Sequence, residues 1–152
     1  MSVASDTAVA FWAALYDRDW PRIRSFFGPE SIYFDVPTGP SSAGQGPDSI
    51  EARLRLGLDG LAGYEHHPGV VAEGPAGVVV TEHTEVWTWA SGETVALPFV
   101  SVQHIDDAGT ITLWKDYWDF QTLMGAAPAA WHERLDTADL SWVVDVTDRV
   151  AG

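Results

Sequence analysis

The sequence predicts an α+β domain in which a curved, mixed or antiparallel sheet wraps round helices that come first in the chain. Three observations lead there. Helical spacing of apolar residues is confined to roughly the first sixty positions. Strand alternation then takes over, in runs divided by turn pairs such as Ser91-Gly92. The length, 152 residues with 46% hydrophobic content and eight tryptophans, suits one domain with a single substantial core.

Ser5 or Asp6 is placed to cap a first helix reaching about Arg18, with Val9, Trp12, Leu15 and Tyr16 on one side. A short second helix starts near Pro21 and stops before Gly28-Pro29. Residues Ser31 to Val36 alternate as a strand that turns Tyr33 and Asp35 to one face and Ile32, Phe34 and Val36 to the other. The Pro37 to Gly46 stretch reads as a loop of the kind that rims a cavity. Pro47-Asp48 then opens a helix to about Leu58, with Ile50, Leu54, Leu58 and Leu61 as its apolar stripe and Arg53 and Arg55 outside it.

Four strand runs follow, Tyr64 to Glu73, Val78 to Ala90, Glu93 to Ile105 and Thr110 to Phe120, and predict an antiparallel meander. Parity puts Thr81, His83, Glu85, Trp87 and Trp89 on one face, Val95, Leu97, Phe99 and Ser101 on one face, and Trp114, Asp116 and Trp118 on one face. From Gly125 the chain reads as a tail whose Trp131, Leu135, Leu140 and Trp142 need burial on the domain or on a partner subunit.

Composition narrows the function. A formal charge of −14, from 8 basic and 22 acidic residues, would repel a phosphate backbone and disfavours an acidic substrate, so no nucleic-acid partner is expected. A small apolar molecule fits better. No apolar run approaches a bilayer span and no signal-type N-terminus is visible, so a soluble, cytoplasmic protein without membrane contact is expected. Zero cysteines exclude disulfides, thiolate metal sites and cysteine nucleophiles. His83 and Glu85, about 7 Å apart along one strand face, could join Asp116 on a metal, but only one histidine points inward, and neither metal nor cofactor is expected. His66-His67 are read as surface residues.

The chemistry centres on Asp116. A carboxylate walled by Trp114 and Trp118 is poorly solvated, which raises its pKa and suits it to proton transfer near neutrality. The cone-shaped interior would gather Tyr33, Asp35, His83, Glu85 and Asp116, with Trp87, Leu97, Phe99, Trp114 and Trp118 as substrate-binding walls.

The order Ser-Ile-Tyr-Phe-Asp-Val-Pro, Val-Thr-Glu-His-Thr-Glu-Val and Leu-Trp-Lys-Asp-Tyr-Trp-Asp-Phe resembles the limonene-1,2-epoxide hydrolase family, in the nuclear transport factor 2-like (NTF2-like) superfamily of cystatin-like cones. The resemblance implies one such domain over residues 1–124, a tail over 125–152, and a homodimer. It also implies one-step epoxide opening without cofactor, with Asp116 as the base, Glu85 in the acid's place and Tyr33 holding the water. His83 stands where that family has arginine, and Asp35 where it has asparagine. Histidine reaches two carboxylates only singly, and a third acid obliges at least one of Asp35, Glu85 and Asp116 to hold a proton near pH 7. Epoxide hydrolysis is therefore expected first. Isomerase- or polyketide cyclase-like proton transfer beside a carbonyl is the alternative, and non-catalytic ligand binding a second.

Overall fold

A computed structural model describes residues 2–151 of the chain. Helix α1 (Val3–Tyr16) is capped by Ser2, whose side chain accepts the Ser5 amide, and α2 (Trp20–Ser25) is capped by Asp19. Then come β1 (Ile32–Asp35), the two-residue β2 (Gly44–Gln45), α3 (Gly46–Leu58), β3 (Leu61–Glu73), β4 (Val78–Trp89), β5 (Thr94–Ile105) and β6 (Ile111–Tyr117). Three further helices close the chain: α4 (Phe120–Ala126), α5 (Ala129–Asp136) and α6 (Thr147–Val150).

The six strands form one sheet in the order β2-β1-β6-β5-β4-β3. Strands β3 to β6 are the expected antiparallel meander, but β1 lies parallel to β6, so the sheet is mixed. That pairing carries the site, because it sets Tyr33 opposite Trp114 and Asp35 opposite Asp116. The row continues to Ser101 on β5 and Thr81 on β4. Residues directly opposite on adjacent strands share a face, so four polar side chains from four strands line up inside the sheet.

The helices fill the concave side. In α1 the buried positions are Ala4, Ser5, Ala8, Phe11, Trp12, Ala14 and Leu15, whereas Val9, expected inward, is exposed. Ser5, offered as a cap, lies inside the helix and bonds Glu73. Phe11 packs edge-on against Trp12, Phe26, Phe27 and Trp114. Leu61, assigned above to the third helix's stripe, belongs to β3.

Two boundaries move for local reasons. Strand β6 ends at Tyr117 because Asp119 caps α4, its carboxylate accepting the amides of Gln121 and Thr122. The 124/125 division thus falls inside α4. Beyond it, Trp131 meets Trp87 and Trp89, and Val144 bridges Ala43 across the 37–46 loop. No helix among the described residues is long and apolar enough to cross a membrane.

Candidate active site

A cavity of about 240 Å³ opens between α3, the concave face of the sheet, and α4 and α5. Tyr33, Asp35, Glu85 and Asp116 all line it, as do Trp87, Phe99, Trp114 and Trp118. Two named residues do not. Leu97 is wholly buried opposite Glu85, a core side chain rather than a wall. His83 is sandwiched between Trp12, at 4.5 Å between ring centroids, and Phe99, stacked at 5.4 Å. Neither of its ring nitrogens has a hydrogen-bond partner among the described residues, and Nε2 stands 3.6 Å from Glu85 Oε1.

Asp116 is buried, at 4% exposure, because it sits mid-strand on the inner face. Ser101 Oγ and Trp114 Nε1 each donate to its Oδ1, both at 2.5 Å. Among the described residues Oδ2 accepts nothing, which leaves it as the oxygen for exchange with a bound molecule. Burial first, then the charges of Asp35 and Glu85, hold the Asp116 carboxyl well above the usual carboxylate range. The two donors oppose that shift, and burial outweighs them.

Asp35, by contrast, has both carboxylate oxygens engaged by donors. Tyr33 Oη and Trp118 Nε1 donate to its Oδ1, each at 2.9 Å. Its Oδ2 accepts Arg53 Nη2 at 2.7 Å and Nε at 3.1 Å. Arg53, read from the sequence as lying outside the helix's apolar stripe, is the main residue the sequence reasoning missed. It leaves α3 beside Leu54, reaches inward with only 11% of its side chain exposed, and also donates to Thr38 Oγ1 at 2.9 Å. A long side chain can bury its stem from a flanking position, so a helical stripe does not reveal it. Arg53 thus pairs with one carboxylate, Asp35, and not with two.

Glu85 is a third kind of acid. Its Oε1 accepts Tyr16 Oη at 2.8 Å and Tyr64 Oη at 2.9 Å, and its Oε2 accepts Trp87 Nε1 at 2.7 Å. Burial, then the Glu85 charge, pushes both phenols up, so they remain protonated donors. Tyr33 is likewise pushed up by burial and then by Asp35 and Asp116, and its ring stacks on Trp114 at 3.8 Å.

His66, expected on the surface, stacks on Tyr16 at 4.1 Å and is partly buried. Burial first, then His83, lowers its pKa to about 4. Between about pH 6.5 and 4 the unfolded chain therefore takes a proton that the fold refuses, and stability falls as pH falls through that window. His66→Phe should flatten that limb of a stability-against-pH curve by chemical denaturation; an unchanged slope would show that His66 does not set it.

A cone of this shape is the fold of NTF2-like and SnoaL-like proteins. A protein designated a SnoaL-like polyketide cyclase from Shewanella denitrificans superposes with a TM-score of 0.74 at 17% identity, over 83% of this chain and 97% of its own. An NTF2-like protein of unknown function from Burkholderia pseudomallei does so with a TM-score of 0.74 at 22% identity, over 85% and 100%. A limonene epoxide hydrolase-like epoxide hydrolase of Mycobacterium tuberculosis gives a TM-score of 0.67 at 26% identity, over 82% and 88%. The sequence matches no family model and no curated protein.

Proposed function

We propose that the protein is a cofactor-independent acid/base enzyme that moves a proton at a carbon next to a carbonyl, with Asp116 as the group that takes and returns it. The observation carrying this is the contrast among the three acids. Among the described residues Asp35 is held by a guanidinium, a phenol and an indole, Glu85 by two phenols and an indole, and of the three only Asp116 has an oxygen that accepts from no donor. The fraction of Asp116 that is ionised near neutral pH is a stronger base for its raised proton affinity, and once it has taken the proton from carbon it is the donor that returns it, so one group serves both halves of an isomerisation or an aldol-type ring closure. Tyr33, permanently protonated, is placed to stabilise the developing enolate by turning its O–H from Asp35 to the substrate oxygen. The walls accept a small, mostly apolar carbonyl compound.

Water addition to an epoxide is the second reading. The positions of Tyr33, Glu85 and Asp116 and the 26% identity to the mycobacterial hydrolase favour it. Against it, the only carboxylate that Arg53 pairs with among the described residues is Asp35, and His83 makes no hydrogen bond to Glu85 or Asp116. Cyclic ketones and β-dicarbonyls in deuterated water, beside cyclic epoxides in ¹⁸O-water, separate the two. Deuterium entering carbon next to the carbonyl, lost with Asp116→Asn, supports proton transfer. Labelled diol supports hydrolysis, and neither product would overturn both.

The dimer is also a proposal, resting on the outer sheet face, where Val100 and Tyr117 are exposed. Sedimentation showing only monomer would refute it.

A further inference from the structure

Away from Asp116, the Glu85 end of the cavity has a composition that a purely neutral, apolar substrate does not explain. Tyr64, Trp87 and Trp131 form its walls. The Tyr64 and Trp87 rings meet at 88° with centroids 6.3 Å apart, and Trp87 and Trp131 meet at 70° and 6.4 Å. With Trp87 set steeply against both neighbours, the walls make a corner rather than a slot.

At that corner lies Glu85, itself only 4% exposed, and the polar edges of two walls, Tyr64 Oη and Trp87 Nε1, are turned onto its carboxylate. All three of its hydrogen-bond donors, Tyr16 included, are neutral. A carboxylate offers about four acceptor positions, and two donors fill Oε1 while one occupies Oε2. One acceptor position on Oε2 is left. His83, the nearest basic side chain, lies toward the filled oxygen, at 3.6 Å from Oε1. The guanidinium of Arg53 is committed to Asp35 and Thr38.

We propose that this corner is a subsite for an ammonium group, so that the ligand of the cavity is a small organic amine in its protonated form. The positive nitrogen would lie against the rings of Trp87 and Trp131, where a cation is attracted by the ring quadrupoles, the Tyr64 ring already carrying the Arg18 guanidinium at 5.8 Å from its centroid. Its N–H would donate to the free position on Glu85 Oε2, a charge-assisted bond in a site that excludes water. The net charge of −14 draws cations to the protein from a distance. The subsite is independent of which proton transfer Asp116 performs, and the two fail separately.

The test compares N,N-dimethylbenzylamine, protonated at neutral pH, with its uncharged carbon isostere isobutylbenzene, by calorimetry and by tryptophan fluorescence on the full chain. The amine should bind at least about tenfold more tightly. Glu85→Gln should abolish that preference and Trp131→Leu should weaken amine binding, while Asp116→Asn should leave the preference in place. Tyr64→Phe, which keeps the ring and is the milder change should Glu85→Gln fail to fold, should retain most of the amine affinity. Equal affinities for the two probes, no binding of either, or a preference that survives Glu85→Gln would each overturn the subsite. Loss of deuterium exchange with the amine preference intact would sink only the catalytic reading.

Discussion

Asp116→Asn is expected to lower turnover by roughly 10²- to 10⁴-fold, the usual contribution of a positioned acid/base group. The fold should stay intact. Asparagine matches aspartate in shape, and its carbonyl oxygen can still accept from Ser101 and Trp114 on the Oδ1 side. Stability carries a second signature, whose sign follows from linkage. In the fold Asp116 keeps its proton well above the usual carboxylate range, whereas the unfolded chain releases it near pH 4. Over that interval the native state binds more protons, so the Asp116 contribution to stability declines as pH rises. Asparagine has no such proton, and the variant should gain on the wild type as pH climbs from about 4 toward neutrality. Equal activity in the variant would remove Asp116 from the mechanism. Lost activity without the stability crossover would mean that Asp116 acts with an ordinary proton affinity.

Arg53→Met should have the largest effect on stability. With 11% and 13% of their side chains exposed, Arg53 and Asp35 form a largely buried pair, and removing one partner of such a pair costs about 3–5 kcal/mol. For a chain of this length that corresponds to a fall in Tm on the order of 10 °C. The cost comes mostly from the stranded carboxylate. Asp35→Asn in the same chain should therefore restore a large part of it, since the amide oxygen can still accept from Tyr33 and Trp118. A double variant no better than Arg53→Met alone would mean that the guanidinium acts through packing against Tyr33 and Trp142.

Much of this arrangement was legible in the sequence because strand parity is a two-fold rule with few exceptions. Tyr33 with Asp35, Glu85 with Trp87, and Trp114 with Asp116 and Trp118 were all assigned to shared faces, and all reach the cavity. Parity says which face a residue shares, not how far inward it stands, so His83, expected among the catalytic groups, and Leu97, expected in the wall, share the inner face and yet are both covered by their neighbours.

The partners of the acids were the harder part. Arg53, Tyr16 and Tyr64 lie on elements far from Asp35 and Glu85 in sequence, and each joins its carboxylate only through the closed fold. Arginine beside an apolar stripe looks the same whether its head reaches water or a buried acid. The parallel pairing of β1 with β6 was equally hidden, since long-range register leaves no local mark. The helix after Tyr117 did leave one: Asp119 followed by helix-compatible residues is a cap signal, masked by the aromatic run before it.

The most direct measurement is the protonation state of the Asp116 carboxyl, followed by carboxyl infrared difference spectroscopy of wild type against Asp116→Asn from roughly pH 4 to 9. A protonated-carboxyl band that belongs to Asp116 and persists into the neutral range is the expected result. A band that vanishes near pH 4, as for a solvated aspartate, would contradict the account.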